Sequence, residues 1–143
     1  MRHKHKEEII MLASYERYLH EPKHLTVEEM RDIHEQILGE IADDAEAREI
    51  YKSLVAVATR YAGIRAEWLL WDRITKIEND DSRTSCHNSL IVKFDMLARY
   101  LKSQGKEAAW RGVLGYEKDD RYNRKAIGDF ACYLVFVNSL NAR

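Results

Sequence analysis

Six polar side chains at the starts of two predicted helices are the main candidates for chemistry in this sequence. Three lie near the start of the helix that follows Ser82, and three lie in the first turns of the last helix: Arg83, His87, Asn88, Arg124, Lys125 and Asp129. Asp129 stands between Gly128 and Phe130 in an otherwise apolar segment, where an unpaired carboxylate would be costly. We therefore expect a donor close to Asp129: Arg124, Lys125, His87 or a tyrosine hydroxyl.

This candidate polar cluster permits two interpretations. In the structural one, the side chains satisfy each other in a network that fixes the register of the helices. In the functional one, a small anionic ligand or a phosphate group binds at the two helix N-termini. A more specific version of the functional interpretation is phosphoester processing by a helical ribonuclease. Such nucleases have four to six residues between an arginine and a histidine, whereas three residues separate Arg83 from His87 here. This alternative function is centred on His87, Arg124 and Asp129.

Metal and nucleophile patterns give little support to catalysis. His20 and His24 have i,i+4 spacing, but Pro22 between them interrupts a continuous helical turn. A di-iron carboxylate bundle needs two Glu-x-x-His motifs, and the chain has only the one that ends at His24. No G-x-S-x-G motif and no glycine-rich phosphate loop is present. The sequence predicts no metal and no cofactor, and it leans against an enzyme.

The composition excludes several classes of protein. Charged residues make up 33% of the chain at a net charge of −1, which indicates solvated helix faces rather than a disordered tail. Six glycines and one proline are too few for the turns of an all-β fold. Residues 1–82 carry 12 Lys/Arg against 18 Asp/Glu, and residues 83–143 carry 11 against 6. The basic residues do not cluster as in a nucleic-acid-binding arm, so nucleic acid is not an expected partner.

Cysteine usage and hydropathy predict a cytoplasmic protein. Cys86 and Cys132 are far apart and outside any ligand spacing, as is usual for free thiols in a reducing compartment. No apolar stretch approaches the length of about 18 residues that a membrane span requires. We therefore expect no contact with a membrane.

Capping signals and breaks divide the chain into helices joined by short connections. The predicted helices cover about 6–20, 27–39, 44–78, 84–104, 107–113 and 123–140. Thr26 and Glu29 form the clearest start signal, a capping box, and Asp43 is the predicted cap of the long helix. Gly39 is the predicted end of the helix that Thr26 begins.

Hydrophobic spacing predicts how these helices pack. Apolar residues from Ile50 to Trp71 recur at steps of four and three, the pattern of a bundle seam. Gly63 within this helix predicts close packing or a kink, and the pair Asp72 and Lys76 is placed on its outer surface. The last helix is apolar nearly all round and belongs in the centre. The prediction is an all-α, single-domain bundle of five or six helices over residues 1–143.

Three short motifs of the C-terminal part carry a family resemblance: His87–Asn88, Trp110–Arg111 and the segment 124–131. On these motifs, residues 83–143 resemble an uncharacterised family of small all-helical bacterial proteins, a domain of unknown function. The resemblance implies a helical fold and a bacterial cytosolic origin, but no activity. The leading prediction is therefore a non-enzymatic regulatory or accessory module that acts by contact with a protein partner or by self-association.

Overall fold

The structure of the protein, a computed structural model, consists of α-helices joined by short connections. It describes residues 25–68, 70–114 and 123–141, with side chains 126–138 in the last of these ranges. Six helices follow in chain order: α1 (Val27–Ile41), α2 (Ala45–Trp68), α3 (Arg73–Glu78), α4 (Asp80–Ser103), α5 (Trp110–Val113) and α6 (Asn123–Asn141). No strand occurs in these ranges, and the all-α prediction is confirmed. The predicted helix at 6–20, with the histidines that precede Leu25, lies outside the described residues.

Helix α2 runs antiparallel to both α4 and α6. At one end of the bundle, the Tyr100 hydroxyl near the end of α4 donates to Asp44 just before α2, at 2.8 Å. At the other end, Arg83 near the start of α4 lies over the Trp68 ring at the end of α2, 4.6 Å from its centroid. Helix α6 is also antiparallel to α2. Asn138 near its end donates to the Tyr51 hydroxyl near the start of α2 at 3.4 Å, and Asp129 near its start lies beside Arg65 near the end of α2. The candidate polar cluster therefore lies at the end of the bundle where α4 and α6 begin.

The hydrophobic core lies between these three helices. Residues 126–135 of α6 are buried, except for the half-buried Cys132, which agrees with the central place predicted for the last helix. On α2, two residues of the predicted seam, Leu54 and Tyr61, are buried, while other seam residues are half-buried. Three small residues of α2 are also buried: Ala58, Ala62 and Ala66. Alanines at these positions let α4 and α6 approach the helix from two sides.

The start of α1 matches its sequence signal. Thr26 Oγ1 accepts from the Glu29 backbone N–H at 3.0 Å, and the Glu29 carboxylate accepts from the Thr26 backbone N–H at 3.0 Å. Both halves of the predicted capping box are therefore confirmed. Leu25 and Met30, which flank the capping box at the spacing of a hydrophobic staple, are both buried.

Replacing Thr26 by alanine is expected to lower the free energy of unfolding by about 1 kcal/mol, because the Glu29 backbone N–H loses its acceptor, Thr26 Oγ1. Thr59→Ala is the matched control: Thr59 is also exposed, but its hydroxyl bonds only to the Val55 carbonyl within α2. Alanine has a higher helix propensity, so the control should be neutral or stabilising by a few tenths of a kcal/mol. Urea unfolding of the two variants beside the wild type measures both effects, and equal stabilities would contradict the capping role.

Several predicted boundaries are wrong by a few residues. Helix α1 does not end at Gly39 but continues to Ile41, where the Arg48 guanidinium donates to the Ala42 carbonyl at 2.6 Å and satisfies the helix end. The cap of α2 is Asp44 rather than Asp43, since the Asp44 carboxylate accepts from the Ala47 backbone N–H. That hydrogen bond and the Tyr100 hydroxyl hold the pKa of Asp44 below its usual value.

The long predicted helix is divided in two. It ends at Trp68, and Asp72 begins the separate helix α3 by accepting from the Thr75 backbone N–H at 2.8 Å. Asp72 is therefore a cap rather than one half of an ion pair with Lys76 on the surface of a continuous helix. Helix α4 begins at Asp80, before the predicted cap at Thr84 or Ser85, and Asn79 joins it directly to α3.

The glycine in the middle of α2 has no close neighbour. A Cβ atom built on Gly63 would meet nothing within 4 Å, so the expected close packing at this position is wrong. The close approach occurs instead at Gly128 in α6, where a Cβ would lie 2.7 Å from the Tyr61 hydroxyl and 2.7 Å from Arg65 Nη1. Gly128 therefore lets α6 settle against two polar side chains of α2.

Candidate functional site

The buried carboxylate of Asp129 is paired with a cation from α2. Asp129 Oδ1 lies 3.6 Å from Arg65 Nη2, and the Asp129 side chain is 3% exposed, against 27% for Arg65. A carboxylate at this depth is stable only with a partner, as the sequence predicts. Arg65 was not among the candidate residues, and the side chains of the candidates Arg124 and Lys125 lie outside the described residues.

Tyr61 connects this pair to α4. Arg65 Nη1 donates to the Tyr61 hydroxyl at 3.3 Å, one helical turn away on α2. The Tyr61 ring meets the His87 ring edge-on, with centroids 5.6 Å apart. Asp129, Arg65, Tyr61 and His87 therefore form one continuous contact path across α6, α2 and α4.

A second contact between α2 and α4 lies one turn further along. The Arg83 guanidinium stacks on the Trp68 ring at 4.6 Å and is within 3.0 Å of the Asp80 carboxylate. Arg83 and His87 are i,i+4 on α4, and Trp68 and Tyr61 are seven residues apart on α2, so each of the two α4 side chains meets one aromatic ring of α2. We call this line of contacts, Tyr61–His87 and Trp68–Arg83 with Arg65 between the two rings on α2, the α2–α4 seam.

The six predicted site residues do not all meet. Asp129 and His87 join through Tyr61 and Arg65, and Arg83 lies one turn away. Asn88 is on the exposed outer face of α4, in a shallow open groove of about 490 Å³ lined by residues of that helix. Arg124 and Lys125 lie in the first turn of α6, and their side chains are outside the described part of the structure.

Two neutral side chains near Asp129 and Arg65, those of Cys132 and Tyr61, are kept protonated by burial. Burial raises the pKa of the Cys132 thiol to about 11; the nearby Arg65 lowers it and Asp129 raises it further. Burial also raises the pKa of the Tyr61 hydroxyl well above its usual range. A thiol that titrates near 11 has little thiolate at neutral pH and is a poor nucleophile. The arrangement therefore supports charge pairing and anion contacts rather than nucleophilic attack.

A separate polar group lies at the other end of α6. His34 Nε2 is 3.4 Å from the Tyr51 hydroxyl, and the His34 ring meets the Tyr133 ring edge-on at 6.0 Å. Burial lowers the pKa of His34, against a smaller opposite effect of Glu35, so the neutral imidazole is favoured. This group joins α1, α2 and α6, and its role in the fold is to satisfy polar atoms inside the bundle.

Metal ligands do not converge in the described ranges. No three His, Cys, Asp or Glu side chains are close enough there to hold a metal ion. The segment 20–24 reads His-Glu-Pro-Lys-His, which has the H-E-x-x-H spacing, but it lies outside the described residues. In zinc enzymes that motif is helical, and a proline inside it costs the helix about 3 kcal/mol.

The fold and its polar cluster define an all-α bundle with a charged seam at one end. Among the described helices, none is long and apolar enough to cross a membrane. No protein-family model, no curated protein sequence and no solved structure matches this chain.

Proposed function

We propose that this chain is a non-enzymatic regulatory or accessory module that binds a protein partner through α3 and the turn before it. One observation carries the proposal: three large aliphatic side chains are exposed side by side in this region. Leu70 is 71% exposed, Ile74 68% and Ile77 66%, and no residue of α3 is buried. We call these three residues the α3 patch. Clustered exposed aliphatic residues of this kind are typical of surfaces that bind a partner.

Charge around the α3 patch favours a basic partner. Five exposed carboxylates surround it: Glu67, Asp72, Glu78, Asp80 and Asp81. Only two cations, Arg73 and Lys76, lie in the same stretch of chain. Complementary potentials speed the encounter of two proteins and exclude partners of like charge. The occupant we propose is therefore a protein surface with an apolar strip flanked by lysine or arginine.

The polar cluster supports a module without catalytic chemistry. Asp129 and Arg65 are paired, and the Tyr61 and Cys132 side chains are held protonated. Charges arranged this way stabilise the meeting of three helices. The bacterial origin and cytoplasmic location that the sequence predicts belong to the same proposal, and the two free cysteines of the described residues are compatible with a reducing compartment.

A peptide-display selection tests this function without knowledge of the natural partner. Displayed peptides are selected on the wild type in the presence of excess Ile74→Ser/Ile77→Ser as soluble competitor. The fold should tolerate this double variant, because both side chains are exposed. Val92→Ser/Met96→Ser is the matched control, since it removes two exposed apolar residues from the outer face of α4 instead.

We expect the selected peptides to combine apolar residues with lysine or arginine. They should bind the double variant of α3 at least about tenfold more weakly than the wild type, a loss of about 1.4 kcal/mol, and bind the α4 control unchanged. Binding should weaken as salt rises. Acidic peptides, or equal binding to all three proteins, would overturn the proposal, as would a wild-type dimer in sedimentation velocity that the α3 substitutions dissociate.

A further inference from the structure

We propose that the α2–α4 seam binds a phosphate group through Arg83, His87 and Arg65. This site is distinct from the α3 patch and does not depend on the function proposed for that patch. The sequence predicts an anion site at the N-termini of two helices. The donors proposed here are instead side chains on the facing surfaces of the antiparallel helices α2 and α4.

The seam brings three nitrogen-bearing side chains to one line. His87 meets the Tyr61 ring at 5.6 Å, Arg83 meets the Trp68 ring at 4.6 Å, and Arg65 lies between those two rings along α2. Arg65 is also close to Tyr61, with its guanidinium carbon 5.9 Å from the ring centroid. The aromatic rings hold the cations in place, which lowers the entropy lost when an anion binds.

Arg83 has a donor that the fold leaves unused. Its Nε is buried and has no hydrogen-bond acceptor among the described residues, although Nη2 of the same guanidinium is 3.0 Å from Asp80. A buried donor without an acceptor is costly, and such groups are rare in folded proteins. The guanidinium lies over the Trp68 ring, with its carbon 4.6 Å from the ring centroid. The Nε and Nη2 edge is the fork that holds two oxygens of a carboxylate or a phosphate.

The seam is open enough for a ligand and selective enough for an anion. The Arg83 side chain is 43% exposed and that of Arg65 is 27% exposed, and His87 is half-buried. Among the described residues, two carboxylates are paired with these arginines and compete with an incoming anion: Asp129 with Arg65, and the exposed Asp80 with Arg83. Asp80 is in the first turn of α4 and is 55% exposed, so a phosphate oxygen can displace it.

Phosphate titration followed by amide NMR tests the site at constant ionic strength, with inorganic phosphate as the probe and chloride as the reference. We expect saturable shifts in residues of the α2–α4 seam. Arg83→Met should weaken phosphate binding at least about tenfold, since it removes charge-assisted hydrogen bonds. Arg73→Met is the matched control: Arg73 is an exposed arginine of α3 and should leave the affinity unchanged.

Asp80→Ala gives the opposite expected sign, which separates a binding site from simple loss of structure. Removing this competing carboxylate should tighten phosphate binding several-fold, because it frees Arg83 and removes a like charge. His87→Gln should weaken it. Titration with adenosine monophosphate identifies the source: tighter binding than inorganic phosphate assigns the site to an organic phosphate, and equal binding assigns it to the free anion. Unsaturable shifts in the wild type, or equal affinities of the Arg83→Met and Arg73→Met variants, would overturn the proposal.

Discussion

Replacing Trp110 by alanine is expected to lower the free energy of unfolding by about 3–5 kcal/mol, the usual range for a buried Trp or Phe cut back to alanine. Trp110 is fully buried and meets the Phe94 ring edge-on at 6.2 Å. Its Nε1 also donates to Glu40 at 2.7 Å, and the second oxygen of that carboxylate accepts from the Ala108 backbone at 3.0 Å. Ala108 has a φ of 47°, so this one carboxylate holds a strained connection to the end of α1.

Two further variants separate packing from hydrogen bonding. Trp110→Phe keeps an aromatic ring in the core but removes the donor to Glu40, and we expect a loss of about 1.5–3 kcal/mol. Val113→Ala is the control, since Val113 lies on the same short helix and is 46% exposed; it should change stability by less than about 0.5 kcal/mol. Urea unfolding measures all three. A loss below about 1 kcal/mol for Trp110→Ala would show that the site collapses without cost and that Trp110 is no anchor.

The start of α1 was easier to predict from the sequence than its end. The capping box at Thr26 depends on residues within one turn, so its hydrogen bonds follow from the sequence alone. The end of α1 depends on Arg48, six residues beyond Ala42, whose guanidinium satisfies the last carbonyl groups. A glycine at position 39 permits an end but does not require one, because helical backbone is also open to glycine.

The two glycines of α2 and α6 show where sequence patterns lose their power. Gly63 and Gly128 both lie inside helices, and their sequence neighbours do not show which of them meets another helix closely. Only the rotation of α2 brings Tyr61 and Arg65 against Gly128 and leaves Gly63 without a close neighbour. That rotation follows from the packing of α4 and α6 on the alanine side of α2, which involves residues distant in sequence.

The polar partner of Asp129 was hidden for the same reason. The need for a donor could be predicted, because burial of a lone carboxylate is costly wherever it occurs. The identity of the donor could not be predicted. Arg65 lies outside the apolar seam of its helix, so the sequence pattern places it on the solvent side. A signal existed nonetheless: arginine one turn from a buried tyrosine can extend along the helix toward a neighbour.

The break after Trp68 also explains why the α3 patch was missed. Apolar residues at 71, 74 and 77 continue the spacing of a long helix and would be placed on its inner side. Because Asp72 starts a new helix, Ile74 and Ile77 turn toward the surface instead. A helix start at Asp72 thus leaves these two aliphatic side chains exposed, and the proposed binding function depends on that exposure.

Replacing Asp129 by alanine is expected to lower the free energy of unfolding by about 2–3 kcal/mol. Breaking a fully buried ion pair costs about 3–5 kcal/mol. The loss expected here is smaller, because Arg65 is partly exposed and its guanidinium can be hydrated again when Asp129 is removed. Asp129→Asn keeps an acceptor oxygen at nearly the same place and should lose less than the alanine variant. Glu49→Ala is the control, since the Glu49–Lys52 pair is exposed on α2 and should contribute less than about 1 kcal/mol.

Thermal and urea unfolding of these variants distinguishes a carboxylate that holds the helices together from one kept for a ligand. If Asp129 is structural, both variants lose stability, and Arg65→Met in the Asp129→Ala background adds little, because the two side chains act as a pair. If Asp129 serves a ligand, stability is unchanged or increased in both variants, as often happens when an unfavourable charge is removed from a functional site. That second result would contradict the structural role. Asp129 would then belong to the phosphate site at the α2–α4 seam only as the carboxylate that competes with the anion for Arg65.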